Sequence, residues 1–447
     1  MRVRDEVDIA IVGAGAAATL LAHAVGRCRP EATVAVIGTG HAPGRGVAYS
    51  TTDDQHRMNV PVRRLSVDAD GSDHLARWIG DTDPEAYIPR ATYGAYLSAQ
   101  LQATAADVID ARVVSLDRSG DQTRREAAGS DRHFEVGLAG GGTVRAAQVV
   151  LATGPPPGPG PVALPDHPRV VADPWTTDLA ERAAEAGAVL VLGTGLTMVD
   201  VALTATAAGA TVIGLSRHGY VPRAHPVRRE SPTEGFPIPA GPLTAARVRR
   251  LVVMYGRTEP AGWPAAMDAM RDRADDVWAR LPEAEQAKLL RRGLSAWTVH
   301  RHRMAPAVAD RFSSLARRGL IRVERGTVAE VTADDDGAVV RTRDGRCRRA
   351  GLVVSCTGPS ADVGRTTDPL LRHLLDTGIA ALGPHRMGLA VDPCGGLLGP
   401  DGLIRPGLFA LGPLRKGTLF ETTAIPELRA QAQALAPLLS PGATTPG

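Results

Sequence analysis

The stretch "VLVLGTGLTMVDVAL" (residues 189–203) sets Gly193 and Gly195 between a short apolar run and an Ala/Leu/Val-rich one. Two glycines one residue apart let backbone N–H groups come close to an anion, because neither carries a Cβ to stand in the way. "DIAIVGAGAAATLLAHAV" places Gly13 and Gly15 in the same setting 180 residues earlier. Each reads as a strand, a tight turn and a helix, with a pyrophosphate held at the positive end of the helix. Gly13-Ala14-Gly15-Ala16-Ala17-Ala18 fits G-x-G-x-x-A, and Ala18 permits close helix–strand packing. The second turn has Met198 in the third position, so its helix is expected to pack less tightly.

The residues beyond each turn distinguish the two sites. Where the second strand of such a unit usually offers Asp or Glu to a ribose, the first copy has Ile37-Gly38-Thr39; Thr39 or a backbone group must serve. The second copy has Ser216-Arg217-His218, followed by Arg223 and His225. A guanidinium pairs with a 2′-phosphate where NAD-selective sites present a carboxylate, so this copy is expected to take NADPH. The competing reading is a solvated arginine in an arginine-rich chain, whose only lysines are Lys288 and Lys416. The expected contacts are thus Gly13, Gly15, Ala16 and Ala17 to a resident FAD, and Gly193, Gly195, Leu196, Thr197, Ser216, Arg217 and Arg223 to a visiting NADPH. A chain with both sites can take hydride from NADPH into flavin and pass electrons onward.

The elements that must hold these residues repeat as well. "ATVAVIG" follows the first turn and "ATVIGLSRHG" the second, and each half ends in a related strand, "VVLATGPPP" (149–157) and "LVVSCTGPS" (352–360). The expected fold class is α/β, with two Rossmann-like, three-layer dinucleotide-binding domains and a helical insertion. Residues 1–165 with 360–447 would form the FAD domain and 166–359 the NAD(P) domain, with two or three helices inserted at about 222–318. The proline-rich "GPPPGPGP" (154–161) marks the crossing. The tail "IPELRAQAQALAPLL" reads as a helix with Pro426 in its first turn and Thr422 or Thr423 as cap. Starting near Thr423, it would aim its positive end at the flavin N1/C2=O edge or simply be a capped surface helix. Lys416 and Glu421 are either site residues or a surface ion pair.

Composition narrows the classes. A chain of 447 residues implies two or three domains. Its 51 basic and 48 acidic residues argue against nucleic-acid or membrane-surface binding. Cys28, Cys347, Cys356 and Cys394 form no C-x-x-C pair and no zinc spacing, which argues against a redox disulfide and a structural metal. In His300-Arg301-His302-Arg303 the two histidines point roughly 200° apart on a helix, so they share no metal there. No hydrolase triad, H-E-x-x-H or P-loop is present. An apolar uncharged run of 18 residues from Ile9 is broken by glycines and lacks the charged n-region, h-region and cleavage site of a signal peptide; a cytoplasmic protein is expected.

Several motifs in order carry a resemblance over nearly the whole chain: "GRGVAYSTTDDQHRMNVPVRRLS", "IPRATYGAYL", "VLATG", "LGTGLTMVDVAL", "SRHGYVPRAH", "WTVHRHRMAP" and "GPLRKGTLFETTAIPELRAQA". The sequence resembles the bacterial FAD/NAD(P)-binding protein family, akin to the flavin-containing, N-hydroxylating and Baeyer–Villiger monooxygenases. That resemblance implies that Gly44, Arg45 and Gly46 lie along the FAD pyrophosphate and flavin. It implies that His56, Met58, Asn59 and Pro61 form a loop near the isoalloxazine, with Arg90 and Tyr93 close by; Asn59 and Arg90 are the candidate catalytic residues. By the same resemblance Val114 touches the adenine side, Thr153 and Gly154 close the site, and Gly412-Pro413 sits against the ribityl chain. Many flavoproteins carry an Asp where Pro413 stands, so a backbone contact must serve here. The F-x-G-x-x-x-H-x-x-x-W/F fingerprint is absent.

The expected activity is that of an FAD-dependent, NADPH-consuming oxidoreductase, foremost a monooxygenase oxidising a small organic molecule with O₂. The alternatives are an NAD(P)H:acceptor flavin reductase serving a protein or quinone, and a non-catalytic flavin-binding redox sensor.

Overall fold

The computed structural model describes residues 6–68, 70–71, 73–119, 133–158, 160–175, 178–228, 230–358, 360 and 362–439. It divides into two units, Met1–Thr52 with Val60–Gly158 and Ser360–Gly447, and Asp53–Asn59 with Pro159–Pro359.

The first unit begins with β1 (Glu6–Val12), α1 (Ala16–Cys28) and β2 (Val34–Ile37). α2 (His74–Trp78) and α3 (Arg90–Gln102) follow, then β3 (Asp107–Ile109), β4 (Val113–Ser119), β5 (His133–Leu138) and β6 (Thr143–Leu151). β1 lies in parallel between β2 and β6, and every apolar residue from Ile9 to Val12 is buried, as a strand covered on both faces requires.

The second unit holds β7 (Val170–Val171), α4 (Leu179–Ala186), β8 (Ala188–Leu192), α5 (Leu196–Ala207) and β9 (Thr211–Ser216). Six helices rather than two or three then intervene: α6 (Ala245–Thr258), α7 (Gly262–Asp272), α8 (Ala274–Ala279), α9 (Glu283–Arg292), α10 (Leu294–Arg301) and α11 (Pro306–Arg317). Pro282 and Gly293, which one apolar periodicity runs across, act as caps that cut it into short helices. Phe236, Leu243, Met267, Met270, Val277 and Leu281 give this insertion its own apolar centre. β10 (Ile321–Arg325) then pairs in parallel with β9. A three-stranded antiparallel sheet, β11 (Val328–Asp334), β12 (Gly337–Thr342) and β13 (Cys347–Ala350), precedes β14 (Leu352–Ser355), which completes the order β10-β9-β8-β14-β7.

The chain returns to the first unit with α12 (Pro369–Asp376), β15 (Gly396–Leu398), β16 (Ile404–Ala410) and α13 (Ile425–Leu435). β16 pairs in parallel with β6, extending the first sheet to β15-β16-β6-β1-β2-β3, and α1 packs against α13 and α3.

Segment 53–59, expected in the FAD domain, belongs to the second unit. The reason is local: Thr204 on α5 donates to Asp53 Oδ2 at 2.7 Å and lies 2.9 Å from His56 Nε2. The Asn59 carbonyl lies 2.9 Å from His225 Nε2.

Candidate functional site

The two glycine turns are built alike to the level of single bonds. Gly13 has φ +113°, and its N–H donates to the Ile37 carbonyl at 2.7 Å. Ala152 N–H donates to the Val12 carbonyl at 2.7 Å, and a Cβ on Gly13 would stand 2.3 Å from the Ala152 carbonyl oxygen. In the second unit Gly193 has φ +100°, donates to the Leu215 carbonyl at 2.8 Å, and a Cβ there would stand 2.4 Å from the Cys356 carbonyl oxygen. Cys356 N–H donates to the Leu192 carbonyl at 2.7 Å. Gly154 (φ +78°) and Gly358 (φ +76°) turn the chain at equivalent places. No side chain fits at Gly13 or Gly193 without moving backbone.

In the first unit Gly15 caps α1, leaving the N–H groups of Ala16 and Ala17 in its first turn. Gly15 faces Gly46, and a Cβ on Gly46 would stand 3.3 Å from the Gly15 Cα. Gly44 N–H donates to the Ala14 carbonyl at 2.8 Å, and α3 leaves a Cβ on Gly44 no room, 2.7 Å from Ser98 N. Arg45 lies beside Gly94 on α3; a Cβ there would meet the Tyr49 carbonyl oxygen at 2.3 Å and Arg45 Cγ at 3.3 Å. Sequence reasoning missed Gly94, for which a glycine in mid-helix was the available signal.

The first unit also holds buried polar atoms that make no hydrogen bond among the described residues: Arg45 Nε, Thr153 Oγ1 and Thr422 Oγ1. Unsatisfied buried groups are costly, and these three come from segments expected to meet one nucleotide. With the glycine cradle they fit FAD: a cation and two hydroxyls for phosphate, ribityl or flavin oxygens.

The remaining expected FAD contacts fall as follows. Gly412 (φ +75°) opens a 3-10 turn with Pro413, and its N–H donates to Gln431 Oε1 at 2.9 Å. Neither Thr422 nor Thr423 caps α13: the cap is Ala424, with Thr422 fully buried and Thr423 exposed. Ala424 is still extended (φ −82°, ψ 156°), so the helix begins only at Ile425, with Pro426 in its first turn, where a missing N–H costs no helical bond. Lys416 Nζ donates to the Phe420 carbonyl and stands 4.6 Å over the Phe420 ring. Val114 lies in β4, half-buried. Arg90 is the first residue of α3. Burial pushes the Tyr49 hydroxyl up to about 12 against the opposing pull of Arg90. Met58 is buried and Asn59 half-buried, both in the second unit.

The second turn departs from the first in a compensated way. Met198 is fully buried, not loosely packed, because the residue facing it is Gly214, whose Cβ would come within 3.5 Å of Met198 Cγ. The small residue has moved from helix to strand. Gly195 caps α5, with Leu196 and Thr197 half-buried in the first turn. The Ser216 hydroxyl lies 2.7 Å from Thr194 Oγ1 and accepts from Gly219 N–H at 3.1 Å, so it shapes the loop after β9. Arg217 and Arg223 are exposed. Arg223 pairs through its backbone with Val299 and Met304, joining "VPRAH" to "HRHRM". Burial, then Arg223 and Arg303, lowers the His300 pKa below its ordinary value. Arg303 bonds to Asp268 at 2.5 Å and serves structure. Among the described residues no cluster could hold a metal. No helix among them is long and apolar enough to cross a membrane.

Two sheets, each containing a parallel strand–glycine turn–helix–strand unit (β1–α1–β2 and β8–α5–β9), define the fold of the two-dinucleotide-binding-domain flavoproteins. Residues 10–156 match the family model described as FAD-NAD(P)-binding. No curated protein matches the sequence. Among solved structures, the chain is similar to the ornithine N-hydroxylase KtzI of Kutzneria sp. 744, whose structure is described with reduced FAD, NADP⁺ and L-ornithine. The two are 15% identical with a TM-score of 0.65, over 97% of this chain and 99% of that one. It is similar to the FAD-bound cadaverine monooxygenase DfoA of Erwinia amylovora at 13% identity and TM-score 0.65, over 97% and 94%. It is likewise similar to the bacillithiol disulfide reductase Bdr of Bacillus cereus at 14% identity and TM-score 0.58, over 97% and 98%. At these identities the likeness is one of fold.

Proposed function

We propose that this protein is an FAD-dependent, NADPH-consuming oxidoreductase, and foremost a monooxygenase that oxidises a small organic molecule with O₂. The observation that carries the reading is the duplicated turn: one chain builds two dinucleotide cradles, and the first also holds Arg45 Nε, Thr153 Oγ1 and Thr422 Oγ1 without partners among the described residues. The similarity to two hydroxylating enzymes favours oxygenation as the outcome.

In this reading the first turn of α1 and Gly46 admit the FAD pyrophosphate, and Arg45 balances its charge. Thr153 and Thr422 donate to or accept from the cofactor's polar atoms, and the start of α13 favours negative charge beside it. When bound, FAD accepts hydride from NADPH and makes those electrons available to O₂ or another acceptor. Gly193, Gly195, Leu196 and Thr197 receive the NADPH pyrophosphate. Arg217 and Arg223 take its 2′-phosphate, and Ser216 holds the loop that carries Arg217. Asn59 and Arg90 are the candidate residues for orienting reactants.

The test is anaerobic stopped-flow reduction of the FAD-loaded protein by NADPH or NADH, followed by mixing with O₂. Loss of the yellow colour faster with NADPH than with NADH, then reoxidation slow enough to follow, is expected. Immediate reoxidation with efficient dye reduction would replace the monooxygenase by an NAD(P)H:acceptor reductase. Bound FAD that neither nucleotide reduces would replace both by a flavin-binding sensor.

A further inference from the structure

Aromatic side chains make up only 4% of this chain, yet four of its six tyrosines, Tyr49, Tyr87, Tyr93 and Tyr96, belong to the first unit. Three of them touch in sequence. Tyr49, in the single turn after Gly46, meets Tyr93 edge-on with centroids 5.0 Å apart. Tyr93 and Tyr96, three residues apart on one face of α3, have centroids 5.9 Å apart. Tyr96 meets the Trp78 indole at 5.4 Å. Tyr93 and Tyr96 are fully buried, whereas Trp78 is 41% exposed. The inner end flanks the proposed FAD cradle, since the same Gly94 that makes room for the Tyr49 carbonyl borders Arg45. The row therefore runs from the cofactor's surroundings to solvent.

The hydroxyl bonding suits a redox role as well as packing. Val67 N–H donates into Tyr96 Oη at 3.1 Å, which leaves the phenolic proton for His74 Nδ1, 2.7 Å away. Tyr93 donates to the Leu65 carbonyl at 2.9 Å. Burial pushes Tyr96 up to about 12 and raises Tyr93 well above the ordinary tyrosine range, so both are neutral phenols at rest. Tyr96 has a ring nitrogen at hydrogen-bond distance that can take its proton when its electron leaves.

We propose that Tyr49, Tyr93, Tyr96 and Trp78 form a relay that carries one-electron oxidising equivalents from the flavin site to the surface. The proposal rests on the FAD reading above. The oxidant is light-excited, oxidised flavin. One electron passes from Tyr49 to it; Tyr93 refills Tyr49, Tyr96 refills Tyr93, and Trp78 refills Tyr96, with Tyr49 and Tyr93 keeping their phenolic protons throughout. While Tyr96 is one electron short its proton sits on His74 Nδ1, and it returns when Trp78 supplies the electron. The relay ends with the oxidant one electron richer and Trp78 one electron poorer. Trp78 then loses its indole proton to water; the electron taken up by the flavin passes on to O₂, and the superoxide so formed combines with the Trp78 radical and a proton from water to leave a hydroperoxide on the indole, read as an oxygenated tryptophan.

The test is illumination of the FAD-loaded protein in air, followed by peptide mass spectrometry. Oxygenation concentrated on Trp78 is expected, absent in the dark. It falls to the dark level in Tyr96→Phe and in Tyr93→Phe, each of which keeps the ring and its packing. Trp78 oxygenation unchanged in both variants, or spread evenly over Trp175, Trp263 and Trp297, overturns the relay. Yellow protein whose Trp78 stays intact overturns the relay alone. Protein that remains colourless after FAD is added overturns the FAD reading and removes the relay's inner end.

Discussion

In the proposed reading, Arg217 is the side chain that decides which nucleotide the second unit takes. It is exposed beyond β9, on a loop shaped by the Ser216 hydroxyl. A charge-assisted contact to the 2′-phosphate contributes about 1.5 kcal/mol or more, roughly tenfold in affinity. Arg217→Ala is therefore expected to raise the KM for NADPH by that factor and to leave the KM for NADH nearly unchanged, measured by steady-state reduction of a dye. Equal changes for both nucleotides would return Arg217 to the solvated surface. The residues that sequence alone indicated best were the glycines, because a positive φ and a near backbone leave no substitute. Gly13, Gly44 and Gly193 are each closed against a Cβ by neighbouring backbone. Charged candidates carried less signal: among so many arginines, nothing in the sequence separates Arg217 from Arg303, which is bonded to Asp268.

At the scale of elements, the second strand–turn–helix exchanged the small helix residue for a small strand residue. Met198 occupies space that Gly214 vacates. Gly214→Val would overpack this contact, costing about 1–3 kcal/mol. A fall in Tm of roughly 2–4 °C per kcal/mol is expected for a unit of this size. Adding Met198→Ala should recover part of the loss, which a double-mutant cycle followed by thermal denaturation reads directly. Strands and glycine turns were legible because their apolar runs are short and sharply bounded. The insertion was less so: its helical periodicity is continuous, and only Pro282 and Gly293 reveal that it is cut. The caps of α13 were misread because two threonines are good caps by type, whereas the chain stays extended through Ala424, which no residue type there announces. The Asp53–Thr204–His56 bonding left no trace in the sequence, since its members lie about 150 residues apart.

At the scale of the whole molecule, the first unit is assembled from separated stretches, whereas the second is nearly one. Residues 159–359 contain all five strands β7 to β10 and β14 of the second parallel sheet, together with β11–β13. Residues 1–158 lack β15, β16 and α13, which flank β6 and α1. Expressed alone, 159–359 is expected to show a single cooperative thermal transition by circular dichroism, and 1–158 none. The reverse result would mean that the units are misassigned.

β16 also sets an order of birth. During synthesis the part of β6 from Val149 to Leu151 leaves the ribosome long before its parallel neighbour, Leu408 to Ala410, has been made. Every strand of the second unit emerges in between. An open strand edge invites pairing with other chains, so the nascent first half waits with the 149–151 edge of β6 uncovered while the later-starting half finishes. The half begun first is the half completed last, and an interrupted translation leaves behind a sticky fragment rather than a usable one.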